Sequence, residues 1–233
     1  MNTLTKQNAR MAGAWYLAII IFGVYAEFLV RGSLIDHSSA QLTAENIMGN
    51  ELLFRSGIVS DVICQLCHLF LIFHFYKMFS PVNKSQTLFM VSCVIISVGM
   101  TILNLMHHFM PLILLGDTSF LSSLSAGQLQ DLGLLFMKLH GYGYGIAGVF
   151  FGLWLYPLGV LVNQSGAFPK ILGWLLKLGC FGYLIEFIVV FLVPDLNWIT
   201  YPGLLIALIA EFGFCFYLLI AGLNHKDYEL AHS

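Results

Sequence analysis

From Thr87 to Leu115 no Asp, Glu, Lys or Arg interrupts the chain. Wound as an α-helix, that run measures about 40 Å, longer than the roughly 30 Å of hydrocarbon in a bilayer. Comparable apolar runs recur, giving six spans at about 12–31, 57–79, 87–115, 131–162, 171–193 and 201–223. They are continuous in Leu, Ile, Phe, Val and Gly rather than alternating, so helices are predicted and not barrel strands. Composition agrees: 9% of residues are charged, against about 25% in soluble domains. The expectation is an all-α integral membrane protein. It is a six-helix transmembrane bundle and a single domain over 1–233, with the lipid bilayer as its environment.

Basic residues orient the spans. With the N-terminus inside, the cytoplasmic segments and helix ends carry Lys6, Arg10, Lys77, Lys84, Lys170, Lys177 and Lys226. The outer side then carries only Arg31, Arg55 and Lys138, among Asp36, Glu45, Glu51, Asp117, Asp131 and Asp195. This predicts N-in, C-in and a multi-pass protein of the plasma membrane. Val24-Tyr25-Ala26 loosely resembles a signal-peptidase site, but the apolar run continues to Val30, so a retained first helix is expected. A formal charge of -2 without a basic patch excludes nucleic acid as a partner. The five cysteines all fall within spans, so no disulfide framework is expected.

The outer connection 31–55 is read as partly helical, beginning near Thr43 with Glu45 in the first turn. It is either a lead-in to the second span or a lid. The fourth span is too long for one straight crossing. Along it Gly141, Gly145, Gly148, Gly152 and Gly159 recur at helical spacing, as on a face that packs closely against a neighbour.

Ionisable groups inside hydrocarbon are costly unless paired or wetted, so each is a candidate site residue. Glu27 and Arg31 end span 1, and Arg55 and Asp61 open span 2. His107 and His108 close span 3, while Lys138 and His140 lie where span 4 enters. Glu186 falls in the outer third of span 5; Gln65, His68 and Glu211 are deep. Helical spacing adds direction. Asp61, Gln65 and His68 form one stripe, and Ser97, Thr101, Asn104 and His108 another. His140 with Tyr144, and Tyr183 with Glu186, complete the set. Lipid rejects such stripes, so they are expected to face one another around a polar cavity opening outward. The alternative is mutual satisfaction, with Glu27 pairing Arg31 and Arg55 neutralising Asp61 or Glu186.

Three sharper chemistries are set against the spacing. No metal site is predicted, since no local motif supports one, though His108, His140 and Glu186 are candidate ligands, with Asp61 and His107 as further ligand types. Adjacent histidines point about 100° apart on a helix, so one of His107 and His108 faces inward. Intramembrane proteolysis is suggested faintly by Glu27-x-x-x-Arg31 and Phe136-x-x-x-His140, which resemble pieces of the CAAX-protease pattern. Its doubled glutamate is missing, since residue 26 is Ala. Cys64-Gln65-Leu66-Cys67-His68 has the C-x-x-C-H form of c-type haem attachment. Counted from Ser56, however, Cys64 lies about 12 Å and His68 about 18 Å deep, out of reach of attachment from water. Covalent haem is therefore not expected, and the cofactor stays open.

The segments RMAGAWYLAIIIFGVYAEFLVR, TAENIMGNELLFRSGIVSD, FYKMFSPVNK, LHGYGYGIAGVFFGLWLYPLG, FPKILGWLL, GYLIEF and AEFGFCFYLLIAG, in that order, resemble a bacterial family. It is the membrane-protein family of domain of unknown function 4386, and the resemblance runs from Arg10 to Gly222. Arg31, Asn46, Arg55, Asp61, His140, Pro169 and Glu211 fall on positions similar to the family pattern. Cys64, Cys67, His68, His107, His108 and Lys138 look particular to this chain. The resemblance implies a multi-pass protein of the bacterial inner membrane, with no activity to borrow. The functional expectation is binding, transport or sensing of a small molecule or ion. Arg31 and Arg55 would attract an anionic group, Asp61 and Glu211 would carry charge or protons, and His140 with Tyr144 would line the pocket. A metal- or haem-dependent enzyme and an accessory subunit are the alternatives; oligomeric state stays open.

Overall fold

The computed structural model describes residues 4–116 and 119–223. Asp117 and Lys226, counted above among the outer and inner charges, lie outside the described residues. The elements are α1 (Lys6–Val24), a π-helix (Tyr25–Arg31), α2 (Gly32–Leu34), α3 (Ala40–Gly49), α4 (Glu51–Phe79) and α5 (Lys84–Leu115). After them come a 3₁₀ turn (Ser119–Leu121), α6 (Ala126–Leu153), α7 (Leu155–Ser165), α8 (Lys170–Leu192), a 3₁₀ stretch (Pro194–Thr200) and α9 (Tyr201–Ile220). No strand occurs among the described residues. Six helical segments are long and apolar enough to cross a membrane: Lys6–Leu34, Glu51–Phe79, Lys84–Leu115, Ala126–Ser165, Lys170–Leu192 and Pro194–Ile220. The chain is an all-α multi-pass membrane protein. The helices overrun most of the expected spans because hydropathy marks only their apolar lengths.

Two compact units are built from these helices. The first comprises 1–18, 67–98 and 145–233. In it α8 packs between α7 and α9 through glycines. A β-carbon at Gly159 would overlap the backbone of Gly173, and one at Gly182 would overlap that of Gly203. Such close approach lets dispersion hold helices together where lipid offers no hydrophobic drive. The glycine stripe of the fourth span serves this purpose only in part. Gly152 lies against Tyr183 and Gly159 against Gly173, but Gly141 and Gly148 meet nothing within 4 Å. The core of this unit is aromatic: Tyr16, Phe75, Trp154, Phe79, Phe168 and Phe214 form a continuous set of ring contacts.

The second unit comprises 19–66 and 99–144. Its apolar core is Val30, Leu34, Ile47, Phe54, Leu112 and Met137. Here the first span and α4 are tied by hydrogen bonds: Ser60 donates to the Phe22 carbonyl at 2.9 Å, and Tyr25 of the π-helix and Ser56 share one at 2.7 Å. The connection before α4 is helical as expected, but it starts earlier. Ser39, not a residue near Thr43, caps α3 by accepting from the Leu42 amide. Ser38 bonds the Asp36 carboxylate through side chain and backbone, holding it below its ordinary range. Thr43 closes the loop by donating to the Asp36 carbonyl, and Asn46 donates to the Leu34 carbonyl. With Ile47 fully buried, α3 is fastened to the unit at three points.

Candidate functional site

The second unit's charged centre begins where the first span changes its winding. Along Tyr25–Arg31 the backbone is π-helical, and the Gly32 amide bonds back to the Glu27 carbonyl. A β-carbon at residue 32 would come within 3.3 Å of that oxygen, so glycine eases the turn. Arg31 Nε donates to Glu27 Oε2 at 2.8 Å. Its Nη1 donates to Asp61 Oδ2 at 2.6 Å, and its Nη2 to Asp61 Oδ1 at 3.4 Å. Arg31 and Asp61 are both buried, whereas the Glu27 side chain is 60% exposed. Tyr144 donates to Asp61 Oδ1 at 3.5 Å and sets its ring 5.7 Å from the guanidinium carbon. Two carboxylates thus face one guanidinium, and the group carries one formal negative charge.

Two histidines stand beside this ion pair. His108 Nδ1 lies 3.6 Å from Asp61 Oδ2 and 3.4 Å from Arg31 Nη1. The His140 ring is 5.0 Å from that of His108 and 5.4 Å from that of Tyr144. Asn104 fixes His140: its side-chain amide donates to the His140 carbonyl at 2.8 Å, and its own carbonyl lies 3.2 Å from His140 Nδ1. This bracket needs Gly143, where a β-carbon would overlap the Asn104 side chain. Pro111 follows within α5 and has no amide for the His107 carbonyl, which loosens the helix beside His108.

A cavity of about 550 Å³ adjoins the cluster. Glu27, Arg31, His140 and Tyr144 line its polar wall, Ile35 and Met137 its apolar wall, and His37 of the loop reaches it as well. In the same unit, Gln65 Oε1, Thr101 Oγ1, His108 Nε2 and His140 Nε2 are buried without a hydrogen-bond partner. Each such atom costs about 1–3 kcal/mol if left unsatisfied. The second unit therefore holds more polar capacity than its own side chains use.

The remaining expected site residues separate from this centre. Arg55 does not neutralise Asp61: it is half-exposed and pairs with Glu51 at 2.6 Å. Arg31 takes that role, because the π-helical turn brings it to Asp61. Glu186 is half-buried in the first unit, and Asp61 rather than Glu186 accompanies the two histidines. Also in the first unit, Glu211 accepts from Tyr16 and Tyr183, both at 2.9 Å, one phenol to each carboxylate oxygen. His68 packs against Phe151 there, so the Asp61–Gln65–His68 stripe is shared between two environments. Cys64 and Cys67 are both buried, Cys64 donating to the Ile19 carbonyl at 3.5 Å. Thiols enclosed in this way do not suit covalent haem attachment.

Gly143 and His37 are site residues that helical spacing alone does not reveal, and the π-turn leaves no pattern in the residues that form it. Pro111 was a readable signal, a helix breaker three residues after His108. A family model described as Domain of unknown function (DUF4386) matches residues 11–222, nearly the whole chain. No curated protein and no solved structure matches it.

Proposed function

Since this chain belongs to the DUF4386 family, whose description names no activity, we propose a function read from its own geometry. The protein binds a small amphipathic molecule in the cavity of the second unit. The molecule carries a cationic or hydrogen-bond-donating head. The observation that carries this is the state of Arg31: its guanidinium is already committed to Glu27 and Asp61, while Glu27 keeps an exposed carboxylate in the cavity wall. An anion would find that arginine occupied and a net negative charge beside it. A cationic head would meet Glu27, and its apolar body would lie against Ile35 and Met137. Arg55, paired with Glu51 outside the cluster, takes no part. The cavity opens to the extracytoplasmic side under the N-in, C-in orientation, and movement of the ligand across the membrane is the step this binding would serve.

Calorimetric titration of detergent-purified protein in the presence of chelator tests the reading. Hexylammonium should bind at least tenfold more tightly than hexanoate, and Glu27→Gln should remove that preference while the protein stays folded. Equal binding of the two probes, or a preference untouched by Glu27→Gln, overturns it.

A further inference from the structure

Asp61 of α4, His108 of α5 and His140 of α6 each offer a ligand atom, and these atoms lie within 4.8 Å of one another. The two imidazoles are 0% and 2% exposed, and the Nε2 of each is buried without a partner. His140 Nδ1 lies 3.2 Å from both the Asn104 backbone carbonyl and its side-chain amide nitrogen; the tautomer that donates to the carbonyl leaves a lone pair on Nε2 for a metal. A carbonyl or carboxylate behind the far nitrogen is how a metal-bound imidazole is oriented. His108 Nδ1 lies 3.6 Å from Asp61 Oδ2 and 3.4 Å from Arg31 Nη1. Arg31 Nη1, 2.6 Å from Asp61 Oδ2, is the cation this carboxylate now holds.

We propose that Asp61, His108 and His140 bind a divalent transition-metal ion of the zinc class, admitted through the cavity that His140 lines. Two imidazoles and a carboxylate suit zinc and its neighbours, whereas magnesium and calcium take oxygen ligands. Tetrahedral zinc sets neighbouring ligand atoms about 3.3 Å apart, so the three side chains draw inward on binding. Arg31 keeps Glu27 through Nε at 2.8 Å when Asp61 turns to the metal. Three protein ligands leave a fourth position for water or a cavity ligand.

The test uses full-length protein carrying a tag without histidines, titrated with Co²⁺ in chelator-free buffer. Visible d–d bands and metal analysis are the readouts. One cobalt per chain with tetrahedral bands is expected, displaced by Zn²⁺ and retained in excess Mg²⁺. His108→Ala and His140→Ala should each weaken cobalt binding at least a hundredfold. If these variants do not fold, the melting temperature of the unaltered protein decides: Zn²⁺ should raise it and equal Mg²⁺ should not. Folded wild-type protein that takes up no cobalt overturns the proposal, as does uptake undiminished in both variants. The hexylammonium titration is run in chelator, so either reading can fail while the other stands.

Discussion

Arg31 and Arg55 stand at either end of the connection between the first two spans, yet they occupy opposite energetic situations. Arg31 and Asp61 form a buried pair, and removing one partner strands the other charge away from water. Arg31→Met should therefore destabilise the protein by about 3–5 kcal/mol. Arg31→Met with Asp61→Leu should recover most of the loss, as read from denaturant unfolding in detergent. A double variant no more stable than the single would show that the pair does not act as a unit. The Arg55–Glu51 pair is half-exposed on both sides, so screening leaves Arg55→Ala within about 0.5 kcal/mol of wild type. Residue type and helical spacing made Asp61, His108, His140 and Tyr144 readable as inward-facing. They did not reveal which arginine meets Asp61, because that depends on the extra residue accommodated in the π-turn.

At the scale of helices, the long apolar lengths were legible because few structures other than a span can hold them. Contacts between helices were less so. The stripe Gly141, Gly145, Gly148, Gly152 and Gly159 has one spacing, but only Gly152 and Gly159 meet a neighbouring helix closely enough to exclude a side chain. Periodicity reports which residues share a face, not what lies opposite. Gly141→Ala should accordingly be tolerated, whereas Gly182→Ala drives a β-carbon into the Gly203 backbone. Backbone cannot rotate aside as a side chain can, so a loss of about 1–3 kcal/mol is expected from overpacking. Comparing the two melting temperatures checks this, and equal values would refute the close approach of α8 and α9. Gly143→Ala is a third case, in which the displaced atoms belong to Asn104. It should leave the fold largely intact but release His140 from its bracket and weaken cobalt binding.

For the molecule as a whole, the surface is what a bilayer requires. Phe28, Leu103, Met106, Leu192 and Ile220 are among many large apolar side chains left exposed, and only lipid or another apolar partner covers so much of such surface. The cysteines, two of which form the haem-like motif, become useful here, because all five thiols are buried and buried thiols react slowly. A single introduced cysteine can therefore report orientation without removing the native ones. Ser85 and Ser123 are exposed and lie at opposite ends of α5, Ser85 in its first turn and Ser123 in the connection to α6. If the excess of Lys and Arg marks the inner side, Ser123 is expected outside and Ser85 inside. A membrane-impermeant maleimide applied to intact cells should label Ser123→Cys and leave Ser85→Cys unlabelled until the cells are permeabilised. The reverse pattern would invert the orientation, and with it the side from which the cavity of the second unit is filled.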